Sequence, residues 1–175
     1  MKFYARSAAE TKLLAGKLAR EALVAARRLR KALVISLEGN LGAGKTTFTQ
    51  GFARGLGIKA RILSPTFVLV RKFFIPRSSR SKTHPSEHFF YHIDCYRLRK
   101  PKELLDLGWR EALRDPGSIV LVEWGDKIRG ILPGDFLRIV FGVRGKKERE
   151  ISIVAIPRKR KTKSAKRKTT TENSK

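Results

Sequence analysis

Cysteine is nearly missing. Cys95 is the one thiol in 175 residues, so no internal disulfide is available and a reducing compartment suits the chain. No apolar run approaches the roughly 18 residues that a membrane-spanning helix needs. Lys12, Lys17, Arg20 and Glu21 interrupt the first apolar segment, which does not suit a signal peptide, and the expected location is the cytoplasm. Asparagine occurs only at Asn40 and Asn173. Acidic residues are scarce, with 15 Asp and Glu against 40 Lys and Arg, giving a net charge of +25. Such a field favours polyanions, nucleic acid first, although a basic composition that only maintains solubility is the competing reading.

A hydrophobic content of 41% is ordinary for a globular protein. The length suits one domain over residues 1–157. From Arg158 onward nine basic residues stand against Glu172 alone, with no apolar residue beyond Ala165, so 158–175 is expected to be a disordered basic tail.

The stretch Gly39-Asn40-Leu41-Gly42-Ala43-Gly44-Lys45-Thr46-Thr47 fits the phosphate-binding pattern G-x-x-x-x-G-K-[ST]. Ahead of it, Ala32 to Leu37 is apolar and β-branched, long enough for one buried strand. Behind it, Phe48, Phe52 and Leu56 share one helix face. Strand, glycine loop and helix make an anion cradle: the glycines let successive N–H groups turn inward, and the helix start adds free amides and its positive dipole end. Lys45 is expected to reach the outer phosphates and Thr46 to ligate Mg²⁺.

Ser7 with Glu10 predicts a capped helix running to about Leu29, with Leu14, Leu18 and Ala22 on one face alongside Leu13 and Leu23. Ser64-Pro65-Thr66 is expected on a loop between strands at Arg61–Leu63 and Phe67–Val70, where a Thr suits a switch that senses the γ-phosphate or its metal. Residues 76–85 read as a basic loop. Phe89 to Tyr96 resumes β character and Ser118 to Val122 reads as a buried strand. Asp94 and Glu123 thus stand at strand ends, where a Mg²⁺–phosphate site needs carboxylates. Phe136–Phe141 and Glu150–Val154 predict an antiparallel pair joined around Gly145. The fold expected is α/β, a P-loop NTPase-like three-layer sandwich whose mostly parallel central sheet gains antiparallel strands.

These motifs together resemble the TsaE family, also called YjeE-type P-loop ATPases, from about Ser7 to Ile153. The residues that carry the likeness are the loop at 39–48, Ser64-Pro65-Thr66-Phe67, His92-Ile93-Asp94-Cys95-Tyr96-Arg97-Leu98, Val122-Glu123-Trp124 and Gly130-Ile131-Leu132-Pro133. The resemblance implies an ATPase that binds ATP/ADP and Mg²⁺. It implies service to the TsaD and TsaB subunits that place threonylcarbamoyl on adenosine 37 of tRNAs reading ANN codons, with ATP hydrolysis resetting the complex. It further implies that Lys45 binds phosphate, Thr46 and Glu123 hold Mg²⁺, Asp94 supports hydrolysis and Trp124 lies beside the nucleotide, with Leu41, Gly42, Ala43, Gly44, Thr47, Glu10 and Arg149 around it. Asn40 departs from the family's usual acidic residue.

Two other classes compete. A small P-loop kinase would need a lid, for which only the basic 71–82 loop offers itself; a GTPase lacks N-K-x-D. A non-catalytic RNA-binding module would use the nucleotide as a structural ligand, and Lys45, Asp94 and Glu123 argue for turnover instead. Contact with tRNA through the basic surface and tail is a further expectation.

Overall fold

The computed structural model describes residues 1–62, 69–76 and 87–157. The switch triplet Ser64, Pro65 and Thr66 and the tail from Arg158 lie outside the described residues, as do Phe67 and Val68 of the strand expected at Phe67–Val70, whose Val70 opens β3. Seven strands form one sheet in the order β1-β7-β6-β2-β5-β4-β3. They are β1 (Lys2–Ala5), β2 (Leu33–Glu38), β3 (Val70–Phe74), β4 (Phe89–Asp94), β5 (Ile119–Glu123), β6 (Phe136–Arg144) and β7 (Glu148–Ile156). The central strands β6, β2, β5 and β4 run parallel, while β7, β1 and β3 add antiparallel pairings outside them. Every residue of β5 is buried, as a strand covered on both faces requires.

Two layers flank the sheet. On one face lie helices α1 (Ala8–Ala26) and α2 (Lys45–Gly55), packed on Ile35, Leu37, Phe90, Leu121 and Ile139. Phe48 and Phe52 anchor α2 there, Phe48 edge-on to Phe141 and Phe52 stacked near Phe90. On the other face lie α3 (Trp109–Arg114) and the 3₁₀ segments Pro101–Leu107 and Gly125–Ile131, with Leu104, Trp109 and Ile128 over Val34, Ile93 and Val122. The three-layer α/β expectation is met.

Three local readings are corrected. Helix α1 stops at Ala26, and its fully buried stripe is Thr11, Ala15, Gly16, Ala19, Ala22 and Ala26. Ala22 is as expected, Leu14, Leu18 and Leu23 pack partly buried at the margin of the core, and Leu13 is 61% exposed. The cause is how closely α2 approaches: a Cβ on Gly51 would sit 2.5 Å from Lys12 Cα, and one on Gly55 2.6 Å from Gly16 Cα. Only small side chains fit between such helices. Residues 71–74, taken into the basic loop, pair with β4 instead. An edge strand tolerates charge, and the Lys72 ammonium lies 3.7 Å over the Phe89 ring. Arg61 and Ile62 form no strand, and β1 escaped the sequence reading because four residues carry too little periodicity.

Candidate nucleotide site

The loop between β2 and α2 closes over the carboxyl ends of the parallel strands, where open α/β sheets bind ligands. Gly42 (φ +74°) and Gly44 (φ +101°) hold left-handed backbone that a side chain would strain, and Gly44 is the N-cap of α2. Lys45, 5% exposed, folds back so that Nζ donates to the carbonyls of Gly39 (2.7 Å) and Asn40 (2.9 Å). The same ammonium lies 3.6 Å from the Trp124 ring centroid, a cation–π contact. Burial lowers its pKa, opposed by the carboxylates of Glu123, Asp94 and Asp126.

Glu123, 1% exposed, is fixed by three side chains from two elements. The hydroxyl of Thr46 donates to Oε2 at 2.7 Å and that of Thr49 to Oε1 at 2.9 Å. His92 Nε2 lies 2.9 Å from Oε1. His92 is wholly buried, its ring parallel to Phe90, and Nδ1 has no hydrogen-bond partner. The tautomer that donates from Nε2 is therefore the one that satisfies the pair. Asp94 stands opposite Glu123 in the β4–β5 register, and its Oδ1 accepts from the Tyr96 N–H at 2.9 Å.

Trp124 is the one non-glycine among the described residues with positive φ (+60°). Backbone of that kind costs on the order of 1–3 kcal/mol and persists where its surroundings impose it. Here Gly125 packs on Ser36, where a Cβ would lie 2.0 Å from Oγ, and the indole is held between Lys45 and Tyr96, whose ring centroid is 5.1 Å away.

The loop divides two clefts. One of about 230 Å³ is lined by Leu41, Gly42, Lys45, Thr46, Asp94 and Glu123, with Tyr96 and Trp124 at its rim. Another of about 500 Å³ lies between the start of α1 and the β6–β7 hairpin, lined by Ser7, Ala9, Thr11, Thr47, Lys147 and Arg149. Gly42, Gly44 and Thr47 line both. Arg149 donates to the Gly42 carbonyl at 3.2 Å. Glu10 lines neither cleft; its carboxylate accepts from the Arg6 N–H at 2.8 Å while Ser7 Oγ accepts from the Glu10 N–H, so it caps α1. Ala43 is fully buried beneath the loop.

Sequence reasoning missed Thr49 and His92 as partners of Glu123. Thr49 lies one turn beyond Thr46 on α2, and His92 shares a strand face with Asp94, so periodicity held both signals. It also missed Glu38, the last residue of β2. That carboxylate, 4% exposed, accepts from Arg129 (2.8 Å) and twice from Arg138 (2.7 and 2.9 Å). Burial pushes the Glu38 carboxyl up, but the two guanidinium groups outweigh it and hold it below its ordinary range.

A glycine loop that caps a helix at the ends of parallel strands, with its lysine, threonine and an acidic strand end in contact, defines a P-loop NTPase-like protein. Residues 5–151 match the family described as "Threonylcarbamoyl adenosine biosynthesis protein TsaE", and the chain belongs to that family. Among curated relatives it is 42% identical over 123 residues to the tRNA threonylcarbamoyladenosine biosynthesis protein TsaE of Bacillus subtilis, covering 70% of each chain. It is 33% identical over 153 residues to that of Treponema pallidum, covering 87% of this chain and 99% of the relative. The crystal structure of YdiB from Bacillus subtilis superimposes with a TM-score of 0.64 at 34% identity, covering 89% of this chain and 85% of YdiB. The family's work is tRNA threonylcarbamoyladenosine biosynthesis.

Proposed function

We infer that this chain is a Mg²⁺-dependent ATPase that serves threonylcarbamoyl transfer to adenosine 37 of tRNAs reading ANN codons. The observation that carries the reading is the Glu123 carboxylate, bound by Thr46 and Thr49 of the phosphate-loop helix and set beside Asp94. Thr46 and Glu123 offer hard oxygens at one point of the smaller cleft. No group of three or more His, Cys, Asp or Glu side chains suited to a metal occurs among the described residues. That fits Mg²⁺, which takes one or two carboxylates and fills its shell with water and substrate phosphates. Bound there, the ion would neutralise charge developing on the transferred phosphoryl group.

The chain's own groups do the rest. Lys45 exchanges its two carbonyl partners for phosphate oxygens, keeping the charge that burial disfavours. The amides of residues 42–47 cradle the phosphates, Asp94 orients the attacking water, and Trp124 flanks the lysine. The larger cleft, with Arg149 at its edge, takes the nucleoside end. A second carboxylate, Asp94, beside the one that holds the metal suits a water-orienting role and so favours turnover over a purely RNA-binding role.

The ATP cycle resets the TsaD and TsaB subunits, which perform the transfer. Reconstitution with both subunits tests this: modification of tRNA should pass one turnover only when this protein and ATP are present. Lys45→Ala and Glu123→Ala should each cut hydrolysis by at least about 100-fold, the scale of losing one preorganised electrostatic group. Undiminished turnover in either variant refutes the site.

A further inference from the structure

We propose that the groove between α1 and α2 is a docking site for the phosphodiester backbone of an RNA. Charge is unevenly divided between the two layers that flank the sheet. Over residues 6–31 and 45–62, which carry α1 and α2, 12 basic residues meet only Glu10 and Glu21. Over residues 95–117, on the opposite layer, six basic residues meet four acidic ones. Even without the buried Lys45 and with Lys31 paired to Asp135, the α1–α2 layer is the more basic of the two.

Within that face the cations converge. Two adjoining grooves share Lys12, Gly51 and Arg54. Arg20 and Leu13 extend them along α1, and Lys59 and Arg61 extend them past the end of α2. Neither Glu10 nor Glu21 lines either groove. All five cations are exposed, and among the described residues none has an ion-pair partner. Residues 63–68 and 77–86 contain no Asp or Glu at all.

The glycine contacts between Gly16, Gly51 and Gly55 draw the helices together and so place Lys12 and Arg54, from different helices, on the same walls. Like charges held together without an acid are repulsive, and a polyanion relieves that repulsion. Among the described residues that line the groove none is aromatic, so they offer phosphate contacts rather than base stacking. That fits sequence-independent binding of a backbone, which positions an RNA and leaves specificity to other groups. From Ala9 to Arg20 the helix spans about 17 Å. Ala9 also lines the larger nucleotide cleft, so an RNA here would run up to the phosphate loop.

The test uses the full chain and an unmodified tRNA transcript, with affinity read by fluorescence anisotropy between about 50 and about 200 mM KCl. Each phosphate contact contributes roughly fivefold near 0.15 M salt, so Lys12→Ala with Arg54→Ala should weaken binding about 25-fold and reduce the log–log salt slope by about 2. Lys102→Ala with Arg110→Ala, on the opposite layer, should change neither. Groove variants that bind tRNA as the unaltered chain does overturn the proposal, and weakened capture of acidic protein subunits instead would reassign the groove to a protein. Equal losses from both pairs would reduce it to the general field. ATP hydrolysis, measured in parallel and expected unchanged, keeps this outcome separate from that of the ATPase reading.

Discussion

Glu38 shows how a single carboxylate supports the loop without touching a ligand. It is the residue before Gly39, whose carbonyl holds Lys45, and its two arginines come from β6 and from the 3₁₀ segment that follows Trp124. One buried anion therefore ties the base of the phosphate loop to the strand end that carries Glu123. Its carboxyl is held below the ordinary 4.5 by Arg138 and Arg129, against the upward push of burial. The unfolded chain thus binds a proton at a pH where the folded chain does not. The stability this gives is present above about 4.5 and is lost as the pH falls through the folded value. Glu38→Gln should lower the melting temperature at pH 7, and the gap to the unaltered protein should shrink below about pH 4.5. A gap that stays constant with pH would show the arginines to be idle. Cys95 provides a second residue-level check. Burial, then the Asp94 charge, pushes its thiol up to about 12, so it stays protonated and inert. Iodoacetamide should fail to alkylate the native protein at pH 8, about half a unit below a free thiol's pKa, and react once it is unfolded.

At the scale of elements, the crossing of α1 and α2 decides more than the leucines do. Gly51 has Lys12 backbone 2.5 Å from where its Cβ would be, and backbone atoms of that kind cannot swing aside. Gly51→Ala should destabilise by about 1–3 kcal/mol, the usual scale of overpacking, seen as a drop of several degrees in melting temperature. The phosphate loop, α2 with Phe48 and Phe52, and the strand ends at Asp94 and Glu123 were all legible in the sequence, because each is specified by local chemistry: glycines, a helical period, a carboxylate after an apolar run. The small-residue seam of α1 was not, beyond Ala22, since the glycines that let α2 approach it lie some 35–40 residues away in the chain. The strained backbone of Trp124 was hidden for the same reason, being imposed by Gly125 against Ser36. Edge strand β3 was concealed by Arg71 and Lys72, which the sequence alone gives no reason to pair with β4.

For the whole molecule, charge and fold divide the labour between chemistry and attachment. The nucleotide residues sit at one end of the sheet, where carboxylates neutralise much of the local positive charge, while the excess lies on the α1–α2 layer and in residues 158–175. Two basic regions that both hold tRNA should each contribute through counterion release, a term that adds across independent contacts. Removing 158–175, with nine basic residues against Glu172, should weaken tRNA binding and lower its salt slope. Combining that truncation with Lys12→Ala and Arg54→Ala should lower the logarithm of the affinity by the sum of the separate effects, to within about 0.5 kcal/mol, the tolerance for uncoupled sites. Hydrolysis of ATP without tRNA should be unaltered in all three proteins, since neither Lys12 nor Arg54 bonds Lys45, Thr46, Asp94 or Glu123 and residues 158–175 lie outside the 5–151 span of the family match. Additive loss would mean that groove and tail hold separate stretches of one RNA. A truncation that abolishes the effect of the groove substitutions would mean that both engage the same phosphates, with the tail recruiting and the groove only sharing its load.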